Sequence, residues 1–322
     1  MKRISISPPV AALLLAVILF VLSGLLPNGF GSDLNIARAQ ALNILRLSAF
    51  LGVIAAGQTL VIISGYEGID LSSGAIVTLT AILTYVVVSG ANEKVIPALL
   101  LSLVVGALIG FFNGAGISYL KISPFVMTLS MAGVVTGAII VLNHGNVSGK
   151  VAPIMTRLIA RPISPSIPIP SVLVIWLLFG ILMWVVLERT VYGKNLFAIG
   201  VNRVTAKLSG VNVTGMVLAT YALAGALAGF GGFLVVGNTG VVMIQLGQPF
   251  LFPSIAAVAV GGTLLSGGKG SYWGTMAGAI VLTLLTSLLT TMQMPDSVRR
   301  MVLGATLLIL ISIYGRQRGF RQ

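Results

Sequence analysis

The stretch ERTVYGKNLFAIGVNRVTAKLSGVNV, Glu188 to Val213, separates two long hydrophobic runs. It gathers Arg189, Lys194, Arg203 and Lys207 around a single carboxylate, Glu188. Asn202 is placed to cap a short helix through Arg203, Ala206 and Lys207, and Gly210 is placed to end it. Isolated helices under about 12–15 residues are marginal in water, so this one makes sense only when held against something else. The stretch therefore reads as a knob on which a membrane protein meets a soluble partner.

Composition sets the rest of the frame. The chain has 322 residues, of which 57% are hydrophobic and 8% charged, and its mean hydropathy is +1.08. Soluble domains carry about 25% charged residues, so this composition cannot build a water-facing surface. A polytopic membrane protein fits. The net charge of +13 would elsewhere suggest nucleic acid, but a basic patch needs a solvated face. Here the excess reads as a topology signal, because cytoplasmic loops collect Lys and Arg. No cysteine is present, which excludes disulfides, thiolate metal sites and thiol chemistry. With His144 as the one histidine, a histidine metal cluster is excluded as well.

Ten apolar runs approach the length of about 20 residues that a membrane helix needs. They lie near 10–27, 42–64, 71–89, 95–118, 124–142, 171–187, 215–237, 250–265, 273–292 and 299–314. The runs at 71–89 and 250–265 are candidates for broken or re-entrant segments. Lys2 and Arg3 precede the first run, and Ala37-Arg38-Ala39 looks like a cleavage site. The run is too long and the triplet too distant for a signal peptide, so a first membrane helix is expected. With the N-terminus inside, the cytoplasmic face receives Lys2, Arg3, Lys121, Arg189, Lys194, Arg203, Lys207, Lys269, Arg316, Arg318 and Arg321. The segment 143–170 falls outside despite Lys150, Arg157 and Arg161. Its five prolines predict an ordered external loop without long helices. Gly106, Gly110 and Gly114 in the fourth run match the spacing of Gly270, Gly274 and Gly278 in the ninth. That spacing lets helix backbones approach closely. Two helices five apart in order also suggest an inverted five-helix repeat, common in transporters; chance among 39 glycines is the plain alternative.

Ionisable chemistry is sparse. Glu67 and Asp70 sit in SGYEGIDLSSG, tight between two apolar runs. Carboxylates at membrane depth are costly and usually functional. They could line a path or pin broken helices; alternatively this is a plain turn, with Asp70 as N-cap of the third helix. Gln58, Asn113, Gln245 and Gln248 are further intramembrane amides, able to bind hydroxylated solutes or to join helices. The stretch GGTLLSGGKGS fails as a phosphate loop: Thr263 stands where the first glycine belongs and Gly270 where a hydroxyl residue belongs. No catalytic constellation, metal cluster or cofactor motif is present in the sequence.

Four separated stretches together resemble the permease subunits of bacterial ribose-type sugar ABC importers. They are GQTLVIISG with GIDLSSGAI (57–65 and 68–76), KISPFVMTLSM (121–131), RTVYGKNLFAIGVNRVTAKLSGVNV (189–213) and IAAVAVGGTLLSGGKGSYWGTMAG (255–278). The resemblance implies an all-α permease of the bacterial inner membrane, forming one 1–322 domain that makes no covalent chemistry. It also implies a second permease subunit, ATP-binding cassette subunits and a periplasmic sugar-binding protein as partners, with no role for nucleic acid. The family's coupling segment maps within residues 188–214. Gly193, Gly200, Asn202, Arg203, Lys207, Leu208 and Gly210 are its candidate positions. Gln58, Asp70, Asn113, Phe125, Gln245 and Gln248 are candidates for the substrate path. Two departures stand out. Tyr66 and Glu67 are inserted where the family runs Ser-Gly-Gly-Ile-Asp. Leu251, Phe252, Pro253 and Ser254 replace a charged Glu-Leu-Asp-Ala. An ion-coupled secondary transporter is the rival reading, with Asp70 as its deep carboxylate.

Overall fold

The computed structural model describes residues 7–26, 29–31, 33–143, 147–164 and 167–316. Lys2, Arg3, His144, Arg318 and Arg321 lie outside the described residues. Each predicted apolar run coincides with a helix: α1 (Pro8–Leu25), α2 (Leu34–Ile63), α3 (Ser73–Val88), α4 (Val95–Ser118), α5 (Pro124–Asn143), α7 (Ser171–Arg189), α10 (Val213–Thr239), α11 (Gln248–Val260), α12 (Tyr272–Thr291) and α13 (Asp296–Arg316). Among the described residues seven helices are long and apolar enough to cross a membrane. α3 and α11 are shorter, at 16 and 13 residues. They occupy the two runs whose continuity the sequence placed in question. Local chemistry sets the ends. Asp33 caps α2 by accepting from the Asn35 N–H at 2.8 Å and the Ile36 N–H at 3.3 Å. α3 stops at Ser89, whose φ of 41° is left-handed.

α2 and α10 form the centre. Their most apolar windows are 89% and 67% buried, against 22% for α1, α4 and α5. The outer helices thus present apolar side chains outward, as a lipid solvent requires. α10 lies against α4, where Gly106 meets the backbone of Gly225 and Gly110 that of Tyr221. α12 meets α11 in the same way, Gly274 on Gly261 and Gly278 on Ala257. The glycine spacing therefore does bring backbones together. Gly270 departs from that expectation. It precedes α12 in a loop and abuts Thr263 instead.

The segment 147–170 holds a short helix of 7 residues, α6 (Pro153–Ile159), and an antiparallel hairpin of β1 (Pro162–Ser164) with β2 (Ile167–Pro170). The hairpin is a small strand element in a chain that is otherwise helical among the described residues. Closely spaced prolines disfavour helix after α6, and the extended backbone they permit pairs with itself. The segment is tied to the α3–α4 turn through Gly90 N–H to Lys150 O at 2.7 Å and Ile154 N–H to Asn92 Oδ1 at 3.1 Å.

Candidate functional site

The basic stretch folds as two helices, of which the sequence revealed only the second. α7 ends at Thr190, whose extended backbone turns the chain. The Thr190 hydroxyl accepts from the Gly193 N–H at 3.1 Å and caps α8 (Val191–Val201). A Cβ at Gly193 would collide with the Leu187 backbone, so glycine is required where the chain folds back. Leu196 and Ile199 fix α8 in the core. The Tyr192 hydroxyl shares a hydrogen bond with Thr220 at 3.0 Å. Burial pushes the Tyr192 phenol up to about 12, the Thr220 bond offsetting part of the shift.

Asn202 then breaks the helix and caps the next, accepting from Val204 N–H at 2.9 Å and Thr205 N–H at 3.0 Å. α9 (Arg203–Leu208) closes as predicted: Gly210 has φ +85° and Val211 N–H returns to Ala206 O at 3.1 Å. Ala206 faces inward. Val201, Val204 and Leu208 point out, the last 85% exposed. Arg203 and Lys207 border a 490 Å³ cleft against Val211–Thr214 at the root of α10. The knob is thus an apolar ridge flanked by two cations.

Behind the knob, three distant stretches meet on glycines. Gly268 N–H donates to Ile63 O at 2.9 Å. A Cβ on Gly200 would strike Ile63 O and lie 2.5 Å from Gly268 N, and one on Gly65 would lie 2.8 Å from Gly200 O. Gly65, Gly267 and Gly268 all have positive φ, at +69°, +87° and +74°. The 263–270 loop is thereby tied to the end of α2. Next to this node, Tyr66 and Glu67 hold φ of 58° and 55° without being glycine, each at a cost of about 1–2 kcal/mol. The Arg203 guanidinium lies 4.3 Å from the centre of the Tyr66 ring, a cation–π contact.

Toward the middle of α2 a second polar group is fully enclosed. The Gln58 side chain donates to Asp70 O and accepts from Asp70 N–H at 3.2 Å. Asp70 Oδ1 accepts from Ser72 N–H at 2.8 Å and Ser72 Oγ at 2.6 Å. Asn113 Nδ2 donates to Ser72 Oγ at 2.9 Å, and Thr128 Oγ1 accepts from Leu71 N–H at 3.0 Å. The turn between α2 and α3 is thereby bolted to α2, α4 and α5. Asp70 Oδ2, Asn113 Oδ1 and Tyr221 Oη are buried without a partner.

The family model for the branched-chain amino acid transport system / permease component matches residues 40–311. The chain belongs to that permease family. It is 33% identical over 296 residues to the ribose import permease protein RbsC of Bacillus subtilis (strain 168), covering 91% of this chain and 88% of that protein. It is 32% identical over 276 residues to the fructose import permease protein FrcC of Rhizobium meliloti, covering 84% and 76%. It is 30% identical over 320 residues to the autoinducer 2 import system permease protein LsrC of Shigella flexneri, covering 99% and 90%. No solved structure matches.

In this permease the predicted positions divide into two places. Gly193, Gly200, Asn202, Arg203, Lys207, Leu208 and Gly210 all lie in the α8–α9 knob. Gln58, Asp70 and Asn113 share the enclosed network. Phe125, Gln245 and Gln248 do not join it. Phe125 is 55% exposed on α5, and the two glutamines are exposed at the entry to α11. Asp70 is also not the N-cap of α3. That helix starts at Ser73, with Ser72 in the cap position, and the carboxylate binds Ser72 instead. Ser72, Ser73 and Thr128 belong to the network but were missed, because single hydroxyls in apolar runs carry no spacing signal. Among the described residues no group of three His, Cys, Asp or Glu side chains is placed to hold a metal ion.

Proposed function

We propose that this permease is the membrane-spanning subunit of an ABC importer that passes a small sugar from a periplasmic binding protein to the cytoplasm. It works by alternating access, driven by separate ATPase subunits, as half of a two-permease channel in the bacterial inner membrane. One observation carries this reading. The outward knob α8–α9 is joined through Gly65, Gly200 and Gly268 to the end of α2 and to the loop before α12. A push on the knob would reach both helices without passing through any flexible side chain. The names of the relatives (ribose, fructose) supply the sugar class.

The reading includes ten membrane segments in an inverted repeat. In its favour, a long, short, long succession occurs twice, with 30, 16 and 24 residues in α2–α4 and 27, 13 and 20 in α10–α12. It assigns segment 188–214 to ATPase coupling and segment 143–170 to the periplasmic face. Co-purification from mild detergent with mass spectrometry tests the assembly. Recovery of ATP-binding subunits with one or two permeases supports it. A lone protein whose uptake follows an ion gradient would overturn it.

Charge reversal of the knob isolates the coupling step. With Arg203→Glu and Lys207→Glu combined, the apolar ridge and the caps survive. ATPase co-purification is expected to fall about tenfold or more while the protein still inserts. The Tyr66 contact gives a finer test. Tyr66→Ala should lower coupled transport about two- to fivefold, the equivalent of about 0.5–1 kcal/mol, and Tyr66→Phe should restore it. Equal transport by all three forms would remove Tyr66 from the coupling surface.

A further inference from the structure

We infer that the outer halves of α2 and α12 flank an open binding groove for a neutral polyhydroxylated solute, a subsite separate from the Gln58–Asp70 network. This rests on the importer reading above. The groove has a volume of 390 Å³, within the range of about 300–1,000 Å³ usual for small-ligand sites. α2 contributes Gln40 and Asn43, and α12 contributes Thr283, Thr286, Ser287 and Thr290. Both sets follow helical spacing, so two polar stripes face one another inside otherwise apolar spans. Ile44 and Leu47 supply apolar lining on the α2 side, the kind of surface on which the C–H face of a sugar ring packs.

A seam of hydroxyls can merely glue two helices. The helix pair α4–α10 shows what closure looks like in this chain, backbone against backbone at Gly106 and Gly110. α2 and α12 instead leave a groove where their polar residues are densest. The chemistry of the lining is also one-sided. Thr283, Thr286 and Thr290 donate their hydroxyl protons to the carbonyls of Ala279, Leu282 and Thr286 at 2.9, 2.9 and 2.7 Å. Their oxygens retain lone pairs, which makes the α12 wall an acceptor surface for ligand hydroxyls. Donors stand at the edges. Arg46 holds Asn43 Oδ1 at 2.8 Å and Arg299 holds Thr290 Oγ1 at 2.7 Å. The Nε–H of each arginine is buried without a partner. Through their terminal nitrogens the two guanidinium groups hold Asn43 and Thr290 in place on the two walls of the groove. No carboxylate lines the groove, so nothing in it selects a cation.

The absence of cysteine in the chain permits a direct test. Ser287→Cys, in the purified import complex in nanodiscs, is labelled with a charged methanethiosulfonate reagent with and without D-ribose, D-fructose or D-galactose. Lys94→Cys, exposed in the turn between α3 and α4, serves as the control. Labelling of the groove thiol is expected to slow about threefold at a sugar concentration near twice its Kd, with the control unaffected. No labelling would mean the groove is closed to water and would overturn the inference. Equal rates with and without a sugar that the same complex imports would do so too. Slowing by anionic lipid alone would assign the groove to headgroups and overturn the solute site. If the complex imports none of the three sugars, the sugar reading itself fails, an outcome distinct from unprotected labelling.

Discussion

Gly200→Ala is expected to reduce sugar import by about tenfold or more while leaving membrane insertion intact, a coupling loss of at least about 1.4 kcal/mol. The reason is the single methyl group. It would strike Ile63 O and crowd Gly268 N at 2.5 Å, prising apart the hydrogen bond between them. Backbone cannot step aside as a flexible side chain can, so α8, the end of α2 and the 263–270 loop must separate. Gly133→Ala and Gly137→Ala are the matched controls, because a Cβ at either meets nothing within 4 Å. Uptake assays with an insertion check decide the matter. Normal import by the Gly200 variant would show that the glycine node does not transmit the stroke.

The Asp70 pair is expected to separate two mechanisms. Asp70→Asn keeps an oxygen for the Ser72 N–H and hydroxyl and should retain import within about threefold. Asp70→Ala leaves both donors buried without an acceptor, at about 1–3 kcal/mol each. It should lose most of its import together with the order of the α2–α3 turn. An ion-coupled transporter would behave differently, since neutralising its one deep carboxylate would stop transport in both variants. Loss of import by Asp70→Asn in a well-folded protein would therefore revive that mechanism.

Much of the molecule is legible before any coordinates. The composition dictates a membrane solvent, and the ten apolar runs each fall on a helix. Asn202 and Gly210 announce α9 because a cap and a left-handed stop are local devices that tertiary packing rarely overrides. α8 escapes notice for the opposite reason. Its start depends on Thr190 binding the Gly193 N–H, and its 11 residues are few beside the flanking spans of 19 and 27. Glycines spaced by four point correctly to close helix contacts, though not to which helices they join, and Gly270 lies before its helix.

The site divides along the same line. Gln58, Asp70 and Asn113 each stand out as polar residues in apolar surroundings, but their union through the Asp70 backbone and Ser72 spans parts of the chain up to 55 positions apart. Lipid makes any isolated polar group expensive, so residue content and order were enough to establish the class, the number of apolar runs, the basic knob and the roster of costly side chains. Which of those side chains find one another was settled by packing in three dimensions. The meeting of Gly65, Gly200 and Gly268 at one node, and the separation of Gln245 and Gln248 from the network, became visible there and nowhere earlier. Close backbone approach and hydrogen-bond pairing depend on the relative placement of whole helices, and one-dimensional spacing carries no information about that placement.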